Sequence, residues 1–96
     1  MNICIIDDDK DNREILSFII NSHHKDVHIL GEADSVKSGI KIINDTKPDL
    51  IFLDIEMPDG TGFDLIRQLS VCKPEVIFCT AYNQFALKAI ECSALD

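Results

Sequence analysis

Ninety-six residues make one small domain, and a chain that is 46% hydrophobic carries enough apolar material to close a single core. The formal net charge of −8 argues against nucleic acid or an anionic membrane surface as a direct partner of this segment, because both repel it. No charged start leads into a long apolar run, and no stretch approaches the roughly 18 residues that span a bilayer, so a cytoplasmic protein without signal peptide or membrane helix is expected.

In chain order, Ile3 to Ile6 is a short continuous apolar run, the pattern of a strand buried on both faces, and Asp7-Asp8-Asp9 stops it. From about Asp11, Ile15, Leu16, Ile19 and Ile20 recur at helical spacing. Asp11 with Glu14 three positions on resembles a capping box, and His23, His24 and Lys25 suit the carbonyl end of the helix dipole. A second strand is expected over Val27 to Glu32, then a second helix capped by Ser35, with Val36, Ile40 and Ile43 on its core side.

Lys47-Pro48 ends that helix, since the residue before proline is pushed out of the α region. Leu50 to Leu53 reads as the third strand. The Gly/Pro-rich loop Glu56 to Gly62 leads into a third helix through Leu65, Ile66 and Leu69, and Val76 to Cys79 forms a fourth strand. Asn83 to about Cys92 reads as a fourth helix with Phe85, Ala86, Ala89 and Ile90 on its buried side. Buried strands alternating with amphipathic helices imply an α/β fold: a doubly wound parallel sheet covered on both faces, in three layers. Ligands of such sheets sit beyond the carboxyl ends of the strands.

What collects at those ends is acidic. Asp7 and Asp8 follow the first strand, Asp54 the third, and Thr80 the fourth. If the first and third strands are neighbours, three carboxylates converge, and like charges so placed raise one another's pKa. A cation relieves them, and an all-oxygen donor set of carboxylates, a backbone carbonyl and water is what magnesium prefers. One carboxylate can then act as nucleophile toward a phosphoryl group while the others hold the ion, with the Thr80 hydroxyl donating to a phosphoryl oxygen.

The order and spacing of these motifs resemble response-regulator receiver domains. Ile5-Ile6-Asp7-Asp8-Asp9 is similar to the acidic pair after their first strand, and Asp54-Ile55-Glu56-Met57-Pro58-Asp59-Gly60-Thr61-Gly62 to the loop after their phosphorylated aspartate. Thr80-Ala81 matches their switch threonine and the small residue after it. The stretch from Thr80 to Ala89, with Ala94-Leu95-Asp96, most resembles receivers joined to a LytTR-type DNA-binding domain. The resemblance implies a flavodoxin-like sheet in the order 2-1-3-4-5. It implies phosphoryl transfer from a sensor histidine kinase to Asp54, with Mg2+ held by Asp8 directly, Asp7 through water, Asp54 and the Glu56 backbone carbonyl. Thr80 would then reorient toward the phosphoryl group. The sequence stops at Asp96, where receivers continue into a fifth strand, carrying a switch aromatic and a lysine, and a fifth helix. It therefore reads as a receiver incomplete at its C-terminus, over residues 1–96, self-associating through an exposed fourth-strand edge.

Blander and rival readings stand beside this one. Asp9 suits a plain helix cap, Met57-Pro58-Asp59-Gly60 an ordinary turn that shapes its loop, and His23, His24 and His28 the surface. Cys4, Cys72, Cys79 and Cys92 lack metal-ligand spacing and are expected as reduced thiols. An aspartyl-phosphate phosphatase of the haloacid-dehalogenase type needs a second acid two residues after its nucleophile, and the acidic pair after the first strand has no place there. A flavodoxin needs a Ser/Thr/Gly-rich phosphate loop where three aspartates stand. An interaction-only pseudo-receiver would retain the acids without accepting phosphate. No turnover enzyme is expected.

Overall fold

The sheet is parallel and is built from the centre outward. In a computed structural model, which describes residues 1–70 and 73–79, β1 (Asn2–Ile6) pairs on one side with β2 (His28–Ala33) and on the other with β3 (Leu50–Asp54). A two-stranded antiparallel ribbon, β4 (Glu56–Met57) and β5 (Gly60–Thr61), follows β3, and β6 (Glu75–Cys79) pairs with β3 in parallel. The four-stranded order is β2-β1-β3-β6, so the expected first four places of a receiver-like sheet are filled, with β6 in the role of the fourth strand.

Alternation along β1 and β3 explains why their runs are apolar throughout. Ile3 and Ile5, with Leu50 and Phe52, face α1 (Lys10–His23) and pack on Leu16 and Ile20. Cys4 and Ile6, with Ile51 and Leu53, face the other way, onto Val36 and Ile43 of α2 (Val36–Thr46) and Leu65 of α3 (Gly62–Gln68). From Ile3 to Ile6 and from Leu50 to Leu53 each central strand thus has two dry faces and carries no charged residue. The edge strand β2 is looser: its register against β1 slips between Ile3 and Cys4, leaving Leu30 as an extra residue, partly exposed.

Helix boundaries follow from where the orphan backbone groups find partners. The N-cap of α1 is Asp9, whose Oδ1 accepts from Asp11 N (2.9 Å) and Asn12 N (3.4 Å). The Asp11–Glu14 capping box expected from the sequence does not form, because the helix already starts at Lys10 and Asp11 lies inside it; Glu14 instead faces Lys10 at 3.8 Å. Ser35 caps α2 as expected, accepting from Ser38 N and donating its own N–H to Ser38 Oγ, both at 3.1 Å. Lys47 ends that helix as expected, outside the right-handed α region, in the left-handed one (φ 50°, ψ 62°), and closes it with a bond from Lys47 N to Ile43 O at 2.8 Å. Thr61 and Asp64 form a reciprocal capping box on α3.

Cys4 and Cys79 are both buried; Cys72 and Cys92 lie outside the described residues, as do Thr80 and the helix expected over 83–92. Among the described residues, no helix is long and apolar enough to cross a membrane.

Candidate functional site

Asp7 is the first residue past β1, and its N–H still bonds to Ala33 O of β2 at 3.0 Å, which fixes it against the sheet. It is the one buried charged residue among those described. Its Oδ1 accepts from Asp9 N at 2.9 Å and its Oδ2 from Asn12 Nδ2 at 3.5 Å. Arg13 reaches back from α1 to donate from Nη1 to the Asp7 carbonyl at 2.7 Å, while its Nε lies 3.3 Å from Glu32 Oε1. Asp8 is exposed, and half-buried Asp54 closes β3 one strand away.

These three carboxylates converge as the sequence suggested: one oxygen from each of Asp7, Asp8 and Asp54 lies within 4.8 Å of the others. Burial, then the charge of Asp7, pushes Asp54 up from the usual carboxylate value to about 7, against the lowering effect of the Glu56 backbone N–H. Burial likewise raises Asp7. Cys79, the register partner of Asp54 on β6, is pushed up to about 12 by burial and then by Asp7 and Asp54, so its thiol stays protonated. Among the described residues no ion pair involves Asp7, Asp8 or Asp54. The negative charge is concentrated and partly desolvated, and its donors are all oxygen: a set that fits a hard divalent cation.

Glu56 enters the short ribbon, and its carboxylate stands apart from the three-acid group. The loop after Asp54 closes on itself through Gly62 N to Ile55 O at 2.8 Å. Thr80 follows Cys79 in the chain and is not among the described residues. His28 pairs with Asn2 at the opposite end of β1 and His23 ends α1, so the histidines stand away from the acids, as expected.

Two contacts were not foreseen from sequence. Arg13 was an unremarked helix residue, and only its position one turn past the three aspartates hinted at a return contact. Asp59 was assigned to a turn, yet its carboxylate accepts from Val36 N (2.8 Å) and Lys37 N (3.0 Å), which hold its pKa below the usual value. Asp59 is therefore committed to α2 and is not a fourth acid of the cluster. Asp9 is likewise a cap: Asp9→Ala should cost about 1 kcal/mol in urea unfolding and leave the affinity for divalent cations unchanged.

Comparison with known proteins agrees with this arrangement. Residues 3–96 match the family described as response regulator receiver domain. The chain is 45% identical to the sensory transduction protein LytT of Enterococcus faecalis, aligning over 100% of its own length and 40% of the relative's. It is 37% identical to LytT of Bacillus subtilis, again over 100% of this chain and 40% of that one. It thus spans about two fifths of the length of these curated relatives. The response regulatory domain of mrkE from Klebsiella pneumoniae superposes with a TM-score of 0.73 at 34% identity, over 95% of this chain and 75% of that one. The response regulator domain of Thermotoga maritima CheB gives 0.76 at 25% identity, over 95% and 71%. With its sheet order, its three converging aspartates and a sequence match over nearly its whole length, the chain belongs to the response regulator receiver domain family.

Proposed function

We propose that this chain is a phosphoacceptor, taking a phosphoryl group from the phosphohistidine of a sensor histidine kinase onto a carboxylate oxygen of Asp54. The observation that carries this is the convergence of Asp7, Asp8 and Asp54 within 4.8 Å in a member of the receiver family. Asp7, Asp8, Asp54 and the Glu56 carbonyl would hold Mg2+, which when bound supplies positive charge to offset that of the carboxylates and of the arriving phosphoryl oxygens.

The protein's own part is positional. Asp54 must be ionised to attack: its oxygen forms the new bond to phosphorus as the phosphorus–nitrogen bond breaks and its electron pair returns to the imidazole. Asp7 is locked by Asp9 N, Asn12 and Arg13, so the acids are held at the strand ends rather than gathered on demand. Thr80 donates to a phosphoryl oxygen and relays the change. The product is a signal held on Asp54 rather than a released molecule, and the relatives' name, sensory transduction protein, supports a place in sensory transduction. A phosphatase of the dehalogenase type finds less support, because the acid two residues after Asp54 stands outside the cluster.

Incubation with Mg2+ and an acyl phosphate, followed by intact mass measurement, should give one phosphoryl adduct on the wild type. Asp54→Asn and an EDTA-treated sample should give none. A wild-type chain that takes no adduct would leave an interaction-only receiver as the better description.

A further inference from the structure

We infer that Asp59 is a positioning residue for the carboxylate site, acting as a strut that ties the loop after Asp54 to the start of α2. The inference rests on the metal-assisted reading above and extends it to a residue that touches neither metal nor phosphate.

The start of α2 presents four N–H groups that its own turns cannot satisfy. Ser35 N goes to Ser38 Oγ and Ser38 N to Ser35 Oγ, both local. The other two go to a distant residue: Val36 N to Asp59 Oδ1 and Lys37 N to Asp59 Oδ2, one carboxylate oxygen each. Asp59 stands at the turn of the β4–β5 ribbon, between buried Met57 and Gly60. Gly60 takes a φ of 151°, and a Cβ there would lie 3.3 Å from Val36 Cγ2, so ribbon and helix are in close contact as well as hydrogen-bonded.

These contacts close a ring. Asp7 N–H is bonded to Ala33 O, and a short stretch of chain runs from Ala33 to Val36. Val36 is bonded to Asp59, and a short stretch runs back from Asp59 to Asp54. Asp54 and Asp7 then face each other across β3 and β1. The two sides of the acidic site are therefore joined twice, once through the sheet and once through Asp59. Cutting the second joint frees the loop that carries the Glu56 carbonyl and the far end of Asp54. A ligand set that loses such outer support loses affinity by about 10- to 100-fold.

A plain capping role predicts something different, and Ser35 separates the two. Ser35→Ala weakens the same helix start but leaves the ring closed. The full chain is titrated with Mg2+ by calorimetry above the Asp54 pKa, and its thermal midpoint is read in EDTA. Asp59→Ala should raise the Mg2+ dissociation constant by about tenfold. Asp59→Asn, which keeps one oxygen acceptor, should fall between it and the wild type. Ser35→Ala should lower the thermal midpoint with the dissociation constant unchanged. Equal dissociation constants for wild type and Asp59→Ala, or equal losses in Asp59→Ala and Ser35→Ala, would make Asp59 a cap and nothing more. A wild-type chain that takes up no Mg2+ would overturn the metal reading itself, a result distinct from either of these.

Discussion

In EDTA, the protein should lose stability as the pH rises from about 4 to about 7, the reverse of the usual behaviour of a carboxylate-rich protein. The folded-state pKa of Asp54 is about 7 against an ordinary 3.8, so between those values the folded chain holds a proton that the unfolded chain has released. Its contribution is fully present below the lower value and is lost as the pH climbs through the higher one. Asp7 is shifted in the same direction. Full conversion of the Asp54 shift corresponds to about 4 kcal/mol, and screening at a half-open site reduces this to about 2. Mg2+ should restore the loss above the Asp54 pKa, because a cation takes over the compensation that the proton provides at low pH. Asp54→Asn should flatten most of the slope and exceed the wild type in stability in EDTA at about pH 8. Urea midpoints across this range, with and without Mg2+, test the point. A wild-type midpoint that rises with pH in EDTA would mean that burial and the neighbouring acids do not raise Asp54 as their placement implies.

Gly62→Ala should destabilise the protein although alanine is the better helix former. Gly62 is the first residue of α3, and a Cβ there would come 2.6 Å from the carbonyl oxygen of Asp54 and 3.1 Å from Leu53 Cγ. Helix propensity favours alanine by at most about 1 kcal/mol. Forcing a methyl group against a backbone oxygen that cannot rotate away costs about 2–3 kcal/mol, so the steric effect wins. The displaced group belongs to Asp54, so the same substitution should weaken Mg2+ binding in the fraction that folds. Urea unfolding gives the first effect and Mg2+ titration the second. Wild-type stability in the variant would show that the Asp54–Gly62 approach is slack.

Much of this was legible in the sequence wherever one element's environment is uniform. Ile3–Ile6 and Leu50–Leu53 reveal buried strands because both faces of β1 and β3 are dry, and the acids that stop them must sit at the sheet's carboxyl end. Ser35 was identifiable as a cap because its partner lies three residues on. Asp9 was recognised as a cap, but the helix start was placed late, since in a run of three aspartates the one whose backbone turns first cannot be told from composition. The contacts from Asp59 to α2 and from Arg13 to Asp7 were not legible. Each joins residues related by no period, and Asp59 in a Pro-Asp-Gly turn has a sufficient local explanation that conceals the distant one.

The pairing of β1 with β3 also bears on when the site can exist. Asp7 and Asp54 are remote in sequence and meet only through that parallel pairing, which closes a long loop and is among the slower contacts to form. A chain in which only α1 and β2 have assembled around β1 holds the acidic pair without its counterpart from β3. Competence at this site therefore arrives with the completed sheet, and a half-folded molecule is mute.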